Sequence, residues 1–483
     1  MAATDKDPTE AIQLVEQTIG TFNQIVVGQE GQMVPVPGYP DQPTLAERVK
    51  QNLKPSTDAA AGFAAQASAS AKAADDAAKL ASQITGLETV ADAIGLAALP
   101  MPDVWAPLSD SLRMITGYGR DVLVGSDVVA RMVNFSRSTT ATYIGKDGLL
   151  KTAAANEPRF EKEGLLIEGQ STNLFLNSDN VVVWGNPAGA SASTRELQPA
   201  QGSLVTCKVS APSINGGLRQ SYAAPAGGVH TVSFYLSKSS TQLKFVLENG
   251  GAAWGMGAQA SIAPATGAIT GVIGITAAKS FPFSDGYIYQ LTLPSGKVGG
   301  LLNAEWKVDA PGDFYVGMLQ LEALPFASSY IPTNGAAVTR AADSMTIPCA
   351  LNWPANVQNE RTIAAQVANT RFNSGFPRMF TYDSASGGIW YNGVEFASNE
   401  MSPVARFYVT KDKLLEPHVH AEVHSKDYLQ CYMSNVGMGP KGVRGSNPIY
   451  KADIQLCAFP YCHIRNVRIW HKVLNDSQIK AIA

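Results

Sequence analysis

The sequence predicts a mostly β protein with an α-helical N-terminus: a helical segment, a coiled-coil stalk, then two antiparallel β-sandwiches of jelly-roll type. Three observations point there. From Phe63 to Ile94, apolar or small residues recur at alternating gaps of three and four, the seam of a coiled coil. His230–Leu236 and Tyr287–Leu293 alternate with period two, and Phe314–Leu321 is densely apolar. From about Arg131 to the C-terminus, clusters of Gly, Pro, Asn and Ser separate such runs at short intervals, as in antiparallel sandwiches. A repeat of roughly 20–50 residues, which a β-helix or propeller needs, is absent from the sequence.

Composition narrows the function. A chain of 483 residues exceeds one core, so two to four domains are expected. Only 16% of residues are charged and the formal net charge is -3, without a block of like charge. Nucleic acid is therefore not an expected partner. Membrane insertion is not expected either, because the sequence contains no run of about 18 apolar residues. The start, Met-Ala-Ala-Thr-Asp-Lys-Asp, lacks the basic flank and apolar run of a signal peptide. Cys207, Cys349, Cys431, Cys457 and Cys462 form no CxxC pair, so free thiols and assembly in a reducing cytoplasm are expected, with no cofactor.

In chain order, residues 1–56 read as a compact helical attachment segment. Pro8–Ile25 carries Ile12, Val15, Ile19 and Phe22 near helical spacing, and a Pro-rich turn follows at 34–40. Thr44, with Glu47 three residues on, fits a capping box for a short helix Leu45–Leu53. Residues 57–99 are rich in Ala, Ser and Gln and free of Pro, and give the stalk. Its strongest seam positions are Phe63, Leu80, Ile84, Leu87 and Ile94; its Ala and Ser positions bury little, so stability must come from association. The plain alternative is a solvated linker helix. Prolines 100, 102 and 107 end the helix and open a connector, 100–132. Two β-sandwiches are then expected, over 133–345 and 346–483.

Several stretches carry a family resemblance. The first sandwich is bracketed by Phe135-Ser-Arg-Ser-Thr-Thr-Ala-Thr-Tyr143, Asn156-Glu-Pro-Arg-Phe160 and Gly164-Leu-Leu-Ile-Glu-Gly-Gln-Ser-Thr-Asn-Leu174 on one side. Leu319-Gln-Leu-Glu322, Pro325-Phe-Ala-Ser-Ser-Tyr-Ile-Pro-Thr333 and Val338-Thr-Arg-Ala-Ala-Asp343 close it. This cassette resembles that of tailed-bacteriophage tail-fibre and appendage proteins with a carbohydrate-binding-module-like jelly roll between the brackets. Val36–Asn52, followed by the Ala-rich helix, looks like their virion-attachment segment. Arg361–Val367, Leu415–Val423 and Ile464–Trp470 with Leu474–Ile479 are similar to concanavalin-A-like (laminin-G-like) lectin sandwiches. The resemblance implies a homotrimer on the virion, assembled in the host cytoplasm. Residues 1–56 would bind phage tail proteins, and the β domains would meet bacterial surface polysaccharide or lipopolysaccharide. A purely structural head, neck or tail appendage is the alternative.

A depolymerase needs paired carboxylates; Glu168, Asp313 and Glu322 are available, but sheet packing or a structural ion suits the two that fall in the brackets. Gly169-Gln-Ser171-Thr-Asn173 lacks the second glycine of a hydrolase elbow, so no catalytic residue and no enzyme is expected. His418, His420, Glu422 and His424 alternate onto one strand face, a pattern that suits a transition metal or simply a polar sheet face. In a terminal lectin-like helix, Asn475 or Asp476 would cap and Ile479 and Ile482 would face inward. For sugar stacking the candidates are Trp254, in a Gly-rich loop, and Trp390 and Tyr391, which follow Ser-Gly-Gly and Ile389; burial in a core is the competing reading.

Overall fold

The computed structural model describes residues 8–83, 99–192, 196–197, 204–224, 228–249, 258–293, 300–348, 352, 360–373, 377–381, 389–398, 406–443, 453–458 and 461–482. The chain divides into two compact units, Met1–Ala97 and Ala98–Ala483.

In the first unit, helix α1 (Pro8–Val27) leads to a hairpin, Met33–Val36 with Tyr39–Pro43, and then to helix α2 (Leu45–Gln83). Gly38, at φ 78°, supplies the left-handed turn residue of the hairpin. Thr44 caps α2 as expected, its hydroxyl accepting the amide of Glu47 at 3.2 Å. The box is only half closed, because the Glu47 carboxylate accepts the Gly31 amide instead and ties the cap to the preceding loop. The expected break between a short helix Leu45–Leu53 and a separate stalk is absent: α2 runs through Pro55 without interruption. A proline inside a helix forfeits one hydrogen bond, whereas stopping would require a new nucleus, and the Ala-rich sequence beyond favours continuation. Phe63 lies on α2 and is exposed. Leu80 falls within α2, although its side chain is outside the description, and Ile84, Leu87 and Ile94 lie outside the described residues.

The second unit is almost entirely antiparallel β-sheet and holds two sandwiches. One pairs two sheets. The first is ordered Ser191–Ala192, Val205–Ala211, Gly312–Glu322, His230–Ser237, Gly286–Leu293, Ala277–Phe283. The second is Gly217–Ala224, Gly300–Val308, Leu243–Asn249, Ala258–Ala263, Ala268–Ile273. Their inner faces meet over Phe234, Phe245, Tyr289 and Trp306. Val232, Phe234 and Leu236 face this core as their alternation implies, and Thr231, Ser233 and Tyr235 on the other face are buried too. The closing bracket covers that second face: Tyr235 clusters with Tyr330, and the Thr231 hydroxyl donates to the Leu324 carbonyl.

The other sandwich is built from Tyr428–Met433, His418–His424, Arg361–Arg371, Tyr461–Trp470 and Gly164–Ile167 on one side. Trp390–Tyr391, Arg378–Thr381, Ile454–Ala458, Ser344–Ile347 and Asn134–Ser136 form the other. Here the boundary expected between residues 345 and 346 fails. Leu165 pairs with Ile464, Val104 with Ile469, and Phe135 with Met345, so strands from the connector and the opening bracket belong to the C-terminal sandwich. The first sandwich is an insertion into the second. Its entry and exit are zipped together where Ser171–Asn173 pairs with Val338–Arg340. The physical reason is edge pairing: Tyr461–Trp470 would otherwise present unpaired backbone groups, and the upstream strands satisfy them. The terminal helix Asp476–Lys480 is capped by Asn475 in a full capping box with Gln478, and Ile479 and Ile482 are buried beneath Trp470.

Candidate ligand site at the junction of the sandwiches

The bracket motifs converge on one buried network. Arg159 donates to Glu168 at 2.7 Å and to Asp343 at 2.5 Å, Arg137 donates to Asp343 at 3.0 Å, and Arg340 donates to Glu168. Ser329 adds its amide and hydroxyl to the Glu168 carboxylate. Burial pushes Glu168 up, but Arg340, Arg159 and Ser329 outweigh it and hold the carboxyl at about 2. Glu322 sits deeper in the closing bracket, accepting from Ser171, Gln320 and Ser328. Burial raises its pKa despite those bonds. Both carboxylates are engaged by these donors, Glu168 also lines the first of the clefts described below, and Ser171 is a donor to Glu322. Asp313 pairs with Lys208 at the surface.

The histidine strand is internal to the C-terminal sandwich. His418, His420, Glu422 and His424 share a face, as their alternation implies, but both faces of the strand are buried. Nε2 of His420 and of His424 each hydrogen-bond one Glu422 oxygen at 3.3 Å, and the rings of Phe380 and Phe396 stand 5.8 and 5.1 Å from His420. The His418 ring bonds the Glu416 carbonyl, and burial lowers its pKa to about 4. The arrangement is a carboxylate satisfied by two imidazoles inside a core, with Val419, Ala421 and Val423 packed on the opposite side under Trp470.

Two clefts, of about 400 and 410 Å³, flank Arg371 and Phe326 where the sandwiches meet. Two bulges shape them. In Arg361–Arg371, Ala368 faces His463 and Arg371 faces Tyr461, so three steps on one strand meet two on its partner, with Asn369 at φ 55° taking up the extra residue. In Gly312–Glu322 a matching irregularity places Met318 at φ 50°. Bulges of this kind re-aim side chains, and Arg371 and Met318 both line the first cleft. Arg371 donates to the Ala327 carbonyl at 3.2 Å with its guanidinium 5.9 Å from the Phe326 ring centre. Burial lowers its pKa, with Glu168 acting in the opposite sense.

Phe326 meets Tyr461 edge-on at 4.8 Å, and the Tyr461 hydroxyl donates to the Gln170 carbonyl. Gly169 lets the ring approach closely, since a Cβ there would lie 2.9 Å from the Tyr461 hydroxyl oxygen and displace the ring. The first cleft also holds Glu161, Glu163 and His463, whose ligand atoms lie within 4.8 Å of one another. Glu161 accepts from His463 Nε2 at 2.8 Å and from the Ile144 amide. Two carboxylates and an imidazole fit a divalent cation.

Of the residues singled out for sugar stacking, Tyr391 lines the second cleft, but it is buried, its hydroxyl donating to the Val409 carbonyl. Trp390 is half-buried on the same short strand, and Trp254 lies outside the described residues. Arg371, Phe326, Tyr461 and His463 escaped sequence reasoning because they come from separate segments that only the insertion topology brings together. The Arg-Phe-Asn after a long apolar strand was the one available signal.

No family model matches the chain, and neither does any curated protein. Among solved structures it is weakly similar to mouse laminin alpha1 chain, domains LG4-5, with 13% identity over 55% of this chain and 92% of that one and a TM-score of 0.19. At so low a score, the description of the sandwiches rests on their own strand pairing.

Proposed function

We propose that the chain is a homotrimeric fibre or appendage protein of a tailed bacteriophage that attaches the virion to its host by binding surface polysaccharide or lipopolysaccharide. Residues 1–56 would dock on the virion and α2 would begin the trimeric stalk. The jelly roll would be carbohydrate-binding-module-like and the C-terminal sandwich lectin-like, acting without catalysis. The observation that carries the reading is the pair of clefts at the sandwich junction. Aromatic rings and side chains with hydrogen-bonding capacity line the same walls there, which is what a sugar's C–H faces and hydroxyls require. Support also comes from α1, whose Ile12, Val15, Ile19 and Phe22 form an exposed apolar stripe.

A purely structural appendage is the second reading, favoured by one observation: the bracket motifs are engaged in the buried network that joins the sandwiches. Glycan-array binding by the full chain separates the two. Defined surface glycans should be retained by the wild type and lost by Phe326→Ala. An array that stays blank for the wild type would favour the structural appendage.

A further inference from the structure

The two clefts share Arg371, Phe326 and Gln290 but differ in charge. Glu161, Glu163 and the arginine-paired Glu168 line the first. The second is lined by Lys279, Arg371 and Lys411, and among the described residues no carboxylate lines it. Its three cations come from separate places: Lys279 from the strand Ala277–Phe283 of the inserted sandwich, Arg371 from the bulged strand, and Lys411 from the start of the helix Lys411–Leu415. Both lysines are exposed, and neither forms an ion pair with a described residue. Phe372 and Tyr391, with ring centres 5.1 Å apart, add an aromatic wall, and Phe326 adds another surface. A concave, apolar-walled site with one sign of charge focuses the field on ligands of the opposite sign.

We infer that the second cleft takes an acidic saccharide unit, its carboxylate held by Arg371 with Lys279 and Lys411 and its ring placed against Phe326 and Phe372, which Tyr391 backs. Arg371 is suited to the carboxylate because the planar guanidinium fork matches its two oxygens. Only one of its donors has a protein acceptor among the described residues, the bond to Ala327. The acid selects the second cleft over the first, where Glu161 and Glu163, beside the arginine-paired Glu168, would repel it. This inference rests on the glycan-binding reading and specifies its ligand class.

The test is calorimetric titration of the full chain with a panel of acidic oligosaccharides, uronate-, sialate- and pyruvate-bearing, each beside its carboxyl-reduced neutral counterpart. At least one acid should bind about tenfold or more tightly than its counterpart, since a charge-assisted hydrogen bond contributes more than a neutral one. The preference should shrink at about 0.5 M salt. It should be reduced in Lys279→Gln/Lys411→Gln, whose surface positions leave the melting temperature unchanged, and abolished in Arg371→Gln. Equal binding of acid and neutral forms, or a preference untouched by the double lysine variant, would overturn the charge assignment and leave glycan binding standing. If no member of either series bound, both would fall.

Discussion

Arg159 and Asp343 stand 184 residues apart in the chain and meet as a fully buried ion pair. Between them in sequence lies the whole inserted sandwich, so this contact, with the Ser171–Arg340 strand pairing beside it, fixes the neck through which the insertion leaves and re-enters its host sandwich. The same Asp343 carboxylate accepts from Arg137 and from the Glu168 amide. The bracket motifs thus supply Arg137, Arg159, Glu168, Ser329, Arg340 and Asp343 to one desolvated cluster, and removing Asp343 leaves Arg137 without a carboxylate partner.

Asp343→Asn should therefore be strongly destabilising. It preserves shape while stranding Arg137 and leaving Arg159 with Glu168 alone, and breaking a buried pair costs about 3–5 kcal/mol. Asp313→Asn, which opens the surface pair with Lys208, should cost about 0–1 kcal/mol. Urea unfolding of the two variants measures the contrast. Equal small losses would mean the network contributes little to the fold.

Acid should weaken the fold in two steps. His418 has a folded pKa of about 4 against an ordinary 6.5, because burial disfavours the imidazolium. Its contribution is complete above about 6.5 and declines as pH falls toward 4, since only the unfolded chain takes up the proton there. Glu168, held at about 2 against an ordinary 4.5, contributes fully above about 4.5 and declines between there and 2. Each shift corresponds to roughly 3 kcal/mol. His418→Gln should make the stability profile shallower between pH 6.5 and 4 without abolishing its slope, since burial also lowers His230 and His471, and leave the lower step intact; denaturation midpoints across pH give the readout.

Much of the fold was legible because period and capping are local. The alternation of Val232, Phe234 and Leu236, the Thr44 cap and the Asn475 cap each follow from a few neighbouring residues. The insertion was not legible, because Leu165 pairing with Ile464 joins strands about 300 residues apart, and an apolar strand does not declare its partner. For the same reason the aromatic candidates were only partly placed: Tyr391 reaches a cleft wall, while Arg371 gets its position from a bulge and Phe326 from the loop after Gly312–Glu322. The histidine strand shows the limit of alternation. It reveals that four side chains share a face, but the burial of that face depends on Phe380 and Phe396 from the opposite sheet.

Asn369 holds the bulge that aims Arg371. At φ 55° an asparagine is tolerated and a β-branched residue is strained. Asn369→Gly should keep both stability and ligand affinity, whereas Asn369→Val should cost about 1–3 kcal/mol and weaken binding by redirecting Arg371. Thermal melts paired with ligand titration check this. Unchanged affinity in Asn369→Val would separate the bulge from the site.

The two N-terminal helices offer separable roles in assembly. On α1, Ile12, Val15, Ile19 and Phe22 follow gaps of three, four and three and are all exposed, a stripe that needs a covering surface. In the sequence of α2 and beyond, the proposed stalk seam keeps the same spacing through Phe63 and Leu80 toward Ile84 and Leu87. If the stalk holds the trimer and α1 binds the virion, the variants should part. Leu80→Asp/Ile84→Asp/Leu87→Asp places charges in the seam, where an unpaired buried charge is strongly unfavourable, and light scattering should report monomer. Val15→Asp/Ile19→Asp should remain trimeric yet fail to enter particles. The monomeric stalk variant should also attach cells poorly, because linking several weak sites raises avidity by roughly 10²–10⁴ without a new contact. A trimer that survives the stalk substitutions and dissociates with those in α1 would reverse the assignment, placing association in α1 and leaving α2 as a spacer.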